Sequence, residues 1–223
     1  MKYLISLFFL VFFIQSFFSQ EKEDDDGLLS KEELLLKKVY KSIDSAVLES
    51  DSVYRMSLYN QQLKELPPEV FSFGNLQELI LSFNELEEIP IEIFSLSNLQ
   101  ELALQHNKIK ELPKEIGNLK NLERLFLYNN KIKKLPKEIG NLDKLIKLFL
   151  YNNKIRRIPK EIEGLEKLEI FFINKNRIRK FPEEIKKLEF LKKLDVAGNP
   201  IVRKKRKMKK LRMWLPITKI RYY

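Results

Sequence analysis

The sequence has few of the residue types on which catalysis and metal binding depend. None of its 223 residues is a cysteine, and only one is a histidine. Without cysteine there are no disulfide bonds, thiolate metal sites or cysteine nucleophiles, although an oxidising compartment is not excluded. One imidazole is too few for a metal site that is built from several histidines. We therefore predict no metal site and no cofactor.

The single histidine, His106, does not indicate catalysis. A general base needs a positioned partner, and no serine or aspartate lies at a triad-like spacing from it. We expect His106 to be a solvated surface residue. Outside the repeats described below, the chain has only a leader, a linker and end segments, which are too short for a catalytic domain. The sequence predicts no catalytic residue and no enzyme.

Long hydrophobic runs are confined to the N-terminus. Lys2 precedes an apolar run over residues 3–14 in which Ser6 is the one polar residue, and a region with small residues ends at Ser19. A charged start, a short apolar core and a small residue before a polar stretch are typical of a signal peptide. Residues 1–19 are therefore predicted to be a signal peptide, which makes the protein secreted or displayed on the cell surface.

The alternative for this segment is an uncleaved membrane anchor. The apolar stretch over residues 3–18 is shorter than the ~20 residues of a spanning helix, which favours cleavage. Residues 20–29 follow as an acidic, polar stretch, and we predict a flexible linker there.

A repeat of 23 residues dominates the rest of the chain. A leucine, isoleucine or phenylalanine followed by proline recurs at this interval, and an asparagine column keeps the same interval: Asn84, Asn107, Asn130, Asn153, Asn176 and Asn199. Each copy reads LxxLxLxxNxLxxLPxxIxxLxx. A fixed period of this length is the signature of a solenoid, in which each repeat packs only on its neighbours.

This pattern resembles the leucine-rich-repeat family in its 23-residue bacterial form, and the resemblance covers Val53 to Ile201. It implies an α/β solenoid with a curved parallel β-sheet on the concave face and extended or 3-10 segments on the convex side. In that family the asparagine side chains form a ladder that satisfies backbone groups at the turn after each strand. The resemblance also implies a scaffold for protein–protein interaction.

The residues support this fold independently. Leu125 and Leu127 alternate with polar or exposed positions, as in a strand with one buried face. Pro136 favours an extended Leu135 and prevents an α-helix from beginning earlier. No repeat can bury its apolar side alone, so the repeats must stack.

The chain divides into a cap, repeats and a second cap. Ser30 and Glu33 match a capping box, and apolar residues recur at helical spacing over residues 31–48. We predict an N-terminal capping helix within residues 30–52 and six full repeats plus one partial repeat over residues 53–202. A basic C-terminal cap over residues 203–223 follows, with Trp214 and Leu215 closing the core.

Aromatic residues cluster at positions that face the concave side. The middle residues of the LxL motifs are Ser57, Ile80, Ala103, Phe126, Phe149, Phe172 and Asp195. Two residues further on lie Tyr59, Ser82, Gln105, Tyr128, Tyr151, Asn174 and Ala197. Exposed apolar patches commonly mark interaction sites, although cross-strand aromatic pairs can also stabilise a sheet. The predicted ligand site is Phe126, Tyr128, Phe149, Tyr151 and Phe172, flanked by Arg124 and Lys147.

Positive charge accumulates towards the C-terminus. The formal net charge is +11, and eight of the ten residues from Arg203 to Arg212 are basic. This clustering suggests a second function, binding of a polyanion through Arg203, Lys204, Lys205, Arg206 and Lys207. The expected partners are a protein on the concave face and, alternatively, acidic polysaccharide, lipopolysaccharide or an anionic membrane surface. Export makes nucleic acid an unexpected partner.

Overall fold

The computed structural model describes residues 27–223, so the predicted signal peptide and most of the predicted linker lie outside the described residues. A single sheet of nine parallel strands runs through this part of the chain, in sequence order from β1 to β9. The strands are β1 (Val39–Tyr40), β2 (Arg55–Ser57), β3 (Glu78–Ile80), β4 (Glu101–Ala103), β5 (Arg124–Phe126), β6 (Lys147–Phe149), β7 (Ile170–Phe172), β8 (Lys193–Asp195) and β9 (Lys219–Arg221). The predicted leucine-rich-repeat solenoid is confirmed.

The sheet register follows the sequence period. Leu102 pairs with Leu125 and Leu125 with Leu148, so equivalent residues of successive repeats lie side by side. These leucines have no exposed surface, because alternate residues of a strand point to opposite faces and this face meets the core. Each repeat therefore adds one layer to a continuous hydrophobic core.

The convex side consists of short 3-10 helices. Each central one begins directly after a proline, whose fixed φ and missing N–H favour a turn over a strand. After Pro136, for example, the 3-10 helix turns the side chain of Ile139 into the core. The 3-10 helices are Ser50–Ser52, Pro68–Ser72, Ile91–Ser95, Lys114–Asn118, Lys137–Asn141, Lys160–Gly164, Glu183–Lys187 and Pro200–Arg203.

The asparagine column forms a ladder inside the solenoid. The side chain of Asn130 accepts a hydrogen bond from the Ile109 N–H at 3.0 Å and donates to the carbonyls of Leu104 and Leu127 at 3.0 and 3.1 Å. Each buried asparagine thus joins its own repeat to the preceding one and satisfies backbone groups that water cannot reach. Gln61, which takes the place of asparagine in the first repeat, donates to the Lys41 carbonyl of the N-terminal cap instead.

The N-terminal cap differs from the prediction. The predicted single helix within residues 30–52 is wrong: the structure has α1 (Lys31–Leu36), strand β1 and α2 (Ile43–Val47). The predicted capping box at Ser30 is present. Beyond α1 the chain extends because Val39 and Tyr40 gain hydrogen bonds with the free edge of the sheet, where unpaired backbone groups would otherwise lie.

The C-terminal cap covers the last repeat with a helix and a strand. Helix α3 (Lys205–Trp214) buries Met208 and Leu211, and β9 then adds the ninth strand. Leu215 is buried in the core and Trp214 packs against it. Among residues 27–223, no helix has the length and apolar character needed to cross a membrane.

Candidate ligand-binding face

Three phenylalanines form a row across the middle of the concave face. Phe126, Phe149 and Phe172 hold equivalent places in β5, β6 and β7, and the sheet register sets them side by side. The ring centroids of Phe126 and Phe149 are 5.1 Å apart and nearly parallel, and those of Phe149 and Phe172 are 5.0 Å apart with an edge-on orientation. All three side chains are half-buried. This phenylalanine row presents apolar ring surface to solvent.

A second set of rings lies beside the phenylalanine row, where the strands end. Tyr128 and Tyr151 stack with their centroids 4.3 Å apart. The set continues from Tyr128 through three more ring contacts. The ring centroids are 5.4 Å apart for His106 and Tyr128, 4.0 Å for Phe83 and His106, and 5.3 Å for Tyr59 and Phe83. These five residues, Tyr59, Phe83, His106, Tyr128 and Tyr151, form an aromatic ridge across five repeats.

The prediction for His106 is wrong. Its ring is not freely solvated, because it packs against Phe83 and Tyr128 and accepts a hydrogen bond from Asn129 Nδ2 at 2.8 Å. Burial lowers the pKa of His106, so the imidazole is neutral and can act as this acceptor. A serine or carboxylate partner is not among its contacts in the described chain, so this environment does not make His106 a catalytic base.

Strict columns of the sequence repeat do not reveal the aromatic ridge. Tyr59, Tyr128 and Tyr151 hold one repeat position, whereas Phe83 and His106 hold the next. The rings still meet because Phe83 and His106 have φ angles of 60° and 58°, which aim their side chains differently from those of a strand residue. The sequence signal was the aromatic character of these two residues at a position where three other repeats have asparagine.

The phenylalanine row and the two tyrosines at one end of the ridge border a shallow, open hollow of about 370 Å³. Its lining is Ile80, Glu101, Ala103, Gln105, Phe126, Tyr128, Phe149, Tyr151 and Phe172. We call it the aromatic hollow. It contains all five aromatic residues of the predicted site. Gln105 Oε1 is buried and has no hydrogen-bond partner among the described residues. Burial and the neighbouring Tyr128 raise the pKa of Tyr151 to about 12, so its hydroxyl stays neutral and can donate a hydrogen bond.

The two predicted basic residues of the site behave differently. Arg124 is held by the carboxylates of Glu101 and Glu123, and only 11% of its side chain is exposed. Lys147 has no ion-pair partner among the described residues. Neither residue lines the aromatic hollow. Glu101, Gln105, Ile80 and Ala103 line it instead. For Gln105, Ile80 and Ala103 the available signal was their place in the concave columns, and Glu101 holds the same repeat position as Arg124.

The predicted polyanion site lies on the C-terminal cap. Arg203 ends the last 3-10 helix, and Lys205, Arg206 and Lys207 begin α3, so all the predicted residues are near the helix N-terminus. Every one of them is exposed. One edge of the second repeat is acidic, with Glu85, Glu87 and Glu88, and Lys108 and Lys110 of the next repeat pair with Glu85 and Glu87.

Comparison with known protein families gives two overlapping matches. A model described as a leucine-rich repeat region matches residues 95–173. A model described as a leucine rich repeat matches residues 51–109. Together they span more than half of the chain. No curated protein sequence matches it.

Solved structures give the same family. A leucine-rich-repeat protein of Leptospira interrogans is 38% identical with a TM-score of 0.70, over 72% of this chain and 41% of that protein. The ectodomain of the receptor kinase GASSHO1/SCHENGEN3 of Arabidopsis thaliana is 28% identical with a TM-score of 0.57, over 60% and 17%. The plant peptide hormone receptor RGFR1 is 30% identical with a TM-score of 0.58, over 67% and 29%.

This chain spans about two fifths of the length of the Leptospira protein. Two family models and the solved structures identify the same repeat family that the nine-stranded parallel sheet and its asparagine ladder indicate. The chain belongs to the leucine-rich-repeat family.

Proposed function

We propose that the protein is a non-enzymatic binding scaffold whose concave face holds a peptide or a segment of a protein partner. The observation that carries this proposal is the aromatic hollow, whose lining combines five aromatic side chains with Gln105, a residue whose buried amide oxygen has no partner among the described residues. Binding sites commonly combine an apolar lining with a few fixed polar groups. An unsatisfied buried acceptor favours a ligand that supplies a hydrogen-bond donor.

Related proteins support a peptide or protein as the ligand. The Arabidopsis receptor ectodomain was solved in complex with Casparian strip integrity factor 2, and RGFR1 in complex with RGF2. The ligand that fits the aromatic hollow is an extended segment with an apolar or aromatic side chain. A neighbouring N–H of that segment would donate to Gln105 Oε1.

Peptide selection tests this function. Peptides selected from a random display library on the wild-type protein are measured against Phe126→Ala, Phe149→Ala and Phe172→Ala, singly and combined. Truncation of a binding hot spot costs about 2 kcal/mol, so single variants should bind roughly thirtyfold more weakly. Phe190→Ala is the matched control, since Phe190 is an exposed phenylalanine outside the aromatic hollow.

Melting temperature separates binding from sheet stabilisation. Cross-strand aromatic pairs contribute up to about 1 kcal/mol each, so the single variants should melt close to the wild type. Weaker binding with a nearly unchanged melt supports the proposal. A large fall in melting temperature with full affinity in the folded fraction would mean that the phenylalanine row only stabilises the sheet.

We also propose that the protein is exported, as the N-terminal sequence pattern suggests. The mature N-terminus should then lie between Phe17 and Glu21. Mass spectrometry of the protein from its source fractions gives the result directly. An intact chain that retains Met1 in the soluble cytosolic fraction would contradict export.

Polyanion binding through the C-terminal cap is a second candidate function. Residues 203–223 contain ten basic and no acidic side chains, so the cap holds most of the molecule's net charge of +11. Replacing Arg203, Lys204, Lys205, Arg206 and Lys207 by serine should move elution from a heparin resin to lower salt, because ion pairs with a polyanion are screened by salt. An unchanged elution salt concentration would contradict polyanion binding by these five residues and would mean that they only keep the protein soluble.

A further inference from the structure

Helix α3 has two faces of different character. Met208 and Leu211 point into the core, and Leu215 continues the buried side after the helix. The opposite side carries Arg206, Lys209, Lys210 and Met213, at the i, i+3, i+4, i+7 spacing that places residues on one face of a helix. All four are exposed. The outer face of the cap is therefore basic with one apolar side chain among the charges.

Further apolar side chains are exposed on the same cap. Met213 is 71% exposed, Ile217 83% and Tyr223 89%. Met213 also borders an open hollow of about 390 Å³ with Tyr222 and the stems of Lys205, Lys209 and Arg212 around it. Three strongly exposed apolar side chains within the last eleven residues, one of them on the basic face of α3, favour contact of this cap with something apolar.

The charges of the cap have almost no carboxylate partners in the described chain. Their other contacts are neutral: Lys207 Nζ donates to the Arg179 carbonyl, Lys210 lies over the Trp214 ring and Arg212 over the Tyr222 ring. Of its ten basic residues, only Arg221 lies within ion-pair distance of a carboxylate in the described chain, Asp195 at 3.7 Å. Burial is the main cause that lowers the pKa of Lys207, and repulsion by the nearby Lys204, Lys180 and Arg179 lowers it further. Phosphate groups at this surface would relieve that repulsion.

The cap is also placed to meet an extended surface. It supplies the last strand, β9, and covers the end of the solenoid, so no described element packs beyond it. The phenylalanine row lies on strands β5, β6 and β7, which are two or more strands away. A surface bound to the cap would leave the aromatic hollow open.

We propose that the C-terminal cap docks the protein on the surface of a bilayer that contains anionic phospholipid. This inference rests on the second candidate function and names its partner. The basic side chains of α3 contact lipid phosphates, while Met213, Ile217 and Tyr223 enter the boundary between headgroups and acyl chains, as in interfacial amphipathic helices. A soluble polysaccharide would satisfy the charges and leave these three apolar side chains in water.

Vesicle sedimentation with the purified protein tests this docking. The probes are phosphatidylcholine vesicles with and without phosphatidylglycerol, together with soluble heparin as a competitor in a separate arm. Binding to the anionic vesicles alone is expected. Met213→Ser combined with Ile217→Ser should weaken vesicle binding at least several-fold and leave heparin affinity unchanged, because the pair removes apolar contacts and no charge.

The charge contribution has a matched control. Arg206→Ser, Lys209→Ser and Lys210→Ser combined should lower vesicle affinity by about a hundredfold, at about fivefold per basic residue near an anionic surface. Lys131→Ser, Lys133→Ser and Lys134→Ser remove the same charge from an exposed repeat edge and should have a small effect. All these positions are exposed, and unchanged melting curves verify folding.

Three outcomes would overturn the inference. Heparin binding without vesicle binding would keep polyanion binding and reject the membrane. Equal loss of vesicle binding in the cap and edge variants would show that net charge alone drives adsorption. Vesicle binding that survives every cap variant would place the contact elsewhere on the molecule.

Discussion

The phenyl ring of Phe83 lies flat on the imidazole of His106, with 4.0 Å between the ring centroids. Both residues hold positive φ angles, which are unusual for bulky side chains and carry a conformational cost. Stacking and the hydrogen bond from Asn129 to His106 offset that cost. The aromatic ridge is therefore built on backbone that asparagine or glycine would adopt more easily.

The partial burial of His106 predicts a pH dependence of stability. Its folded-state pKa is lowered, so the unfolded chain takes up a proton at a higher pH than the folded chain does. The free energy of unfolding should therefore fall as the pH drops below the unfolded pKa of about 6.5. Denaturant unfolding at about pH 7.5 and about pH 5 measures this for the wild type and for His106→Asn.

His106→Asn is a clean comparison because the chain has no other histidine. Asparagine already occupies the same repeat position at Asn129 and Asn152 with positive φ. The variant should lose less stability than the wild type over this pH range. Identical losses in the two proteins would show that His106 titrates normally in the folded state.

Relief of backbone strain is predicted at Lys175. This exposed residue has a φ of 53°, at the position where Asn129 and Asn152 adopt the same conformation more readily. Lys175→Asn should stabilise the protein by about 0.5–1 kcal/mol, which a thermal melt detects as a shift of a few degrees. Lys193→Asn is the control, because Lys193 lies in β8, where asparagine is disfavoured. A higher melting temperature in both variants would mean that loss of positive charge, and not relief of backbone strain, stabilises the protein.

Removal of a central rung of the asparagine ladder should be strongly destabilising. Asn130→Ala leaves the Ile109 N–H without its partner and removes one of the two asparagine donors from each of the Leu104 and Leu127 carbonyls, at an expected cost of about 1–3 kcal/mol. The control is Asn118→Ala at an exposed convex position, with an expected change within about 0.5 kcal/mol. Denaturant midpoints provide both values. Similar small effects at the two positions would show that water replaces the rung.

Close packing of the convex turns predicts a contrast between two glycines. A Cβ on Gly140 would lie 2.0 Å from the Glu161 carbonyl oxygen, whereas a Cβ on Gly74 would meet nothing within 4 Å. Gly140→Ala should destabilise the protein by about 1–3 kcal/mol, because backbone has to move. Gly74→Ala should be neutral or stabilising by up to about 1 kcal/mol. Equal melting temperatures for the two variants would contradict this packing.

The charge network of the concave face was not foreseeable from residue types. Arg124 was predicted to flank a ligand, but the register places it beside Glu101, and Glu123 contacts it as well. Arg55 pairs with Glu78 in the same way at 2.9 Å. Lys147 has Ile170 and Arg124 beside it and finds no carboxylate in the described chain. Which cation is free depends on neighbours one repeat away, and strand pairing decides those neighbours.

The sequence by itself determined the solenoid. A strict period of 23 residues sets Leu125, Ile139 and Asn130 in columns, and stacking follows because no repeat can bury its apolar side alone. The same period placed Phe126, Phe149 and Phe172 in one row. These features are local or strictly periodic, so the sequence pattern contains them completely.

Only the tertiary structure decided the features that break the period. Residues 39–40, which the sequence predicts in a helix, form a strand at the sheet edge because the edge has unpaired backbone groups to which they can hydrogen-bond. Phe83 and His106 joined the rings of Tyr59, Tyr128 and Tyr151 because positive φ angles reoriented them. In each case the residues that make the contact are distant in sequence or hold a different repeat position. Side-chain direction and strand pairing therefore determine the contact, and the repeat pattern does not contain it.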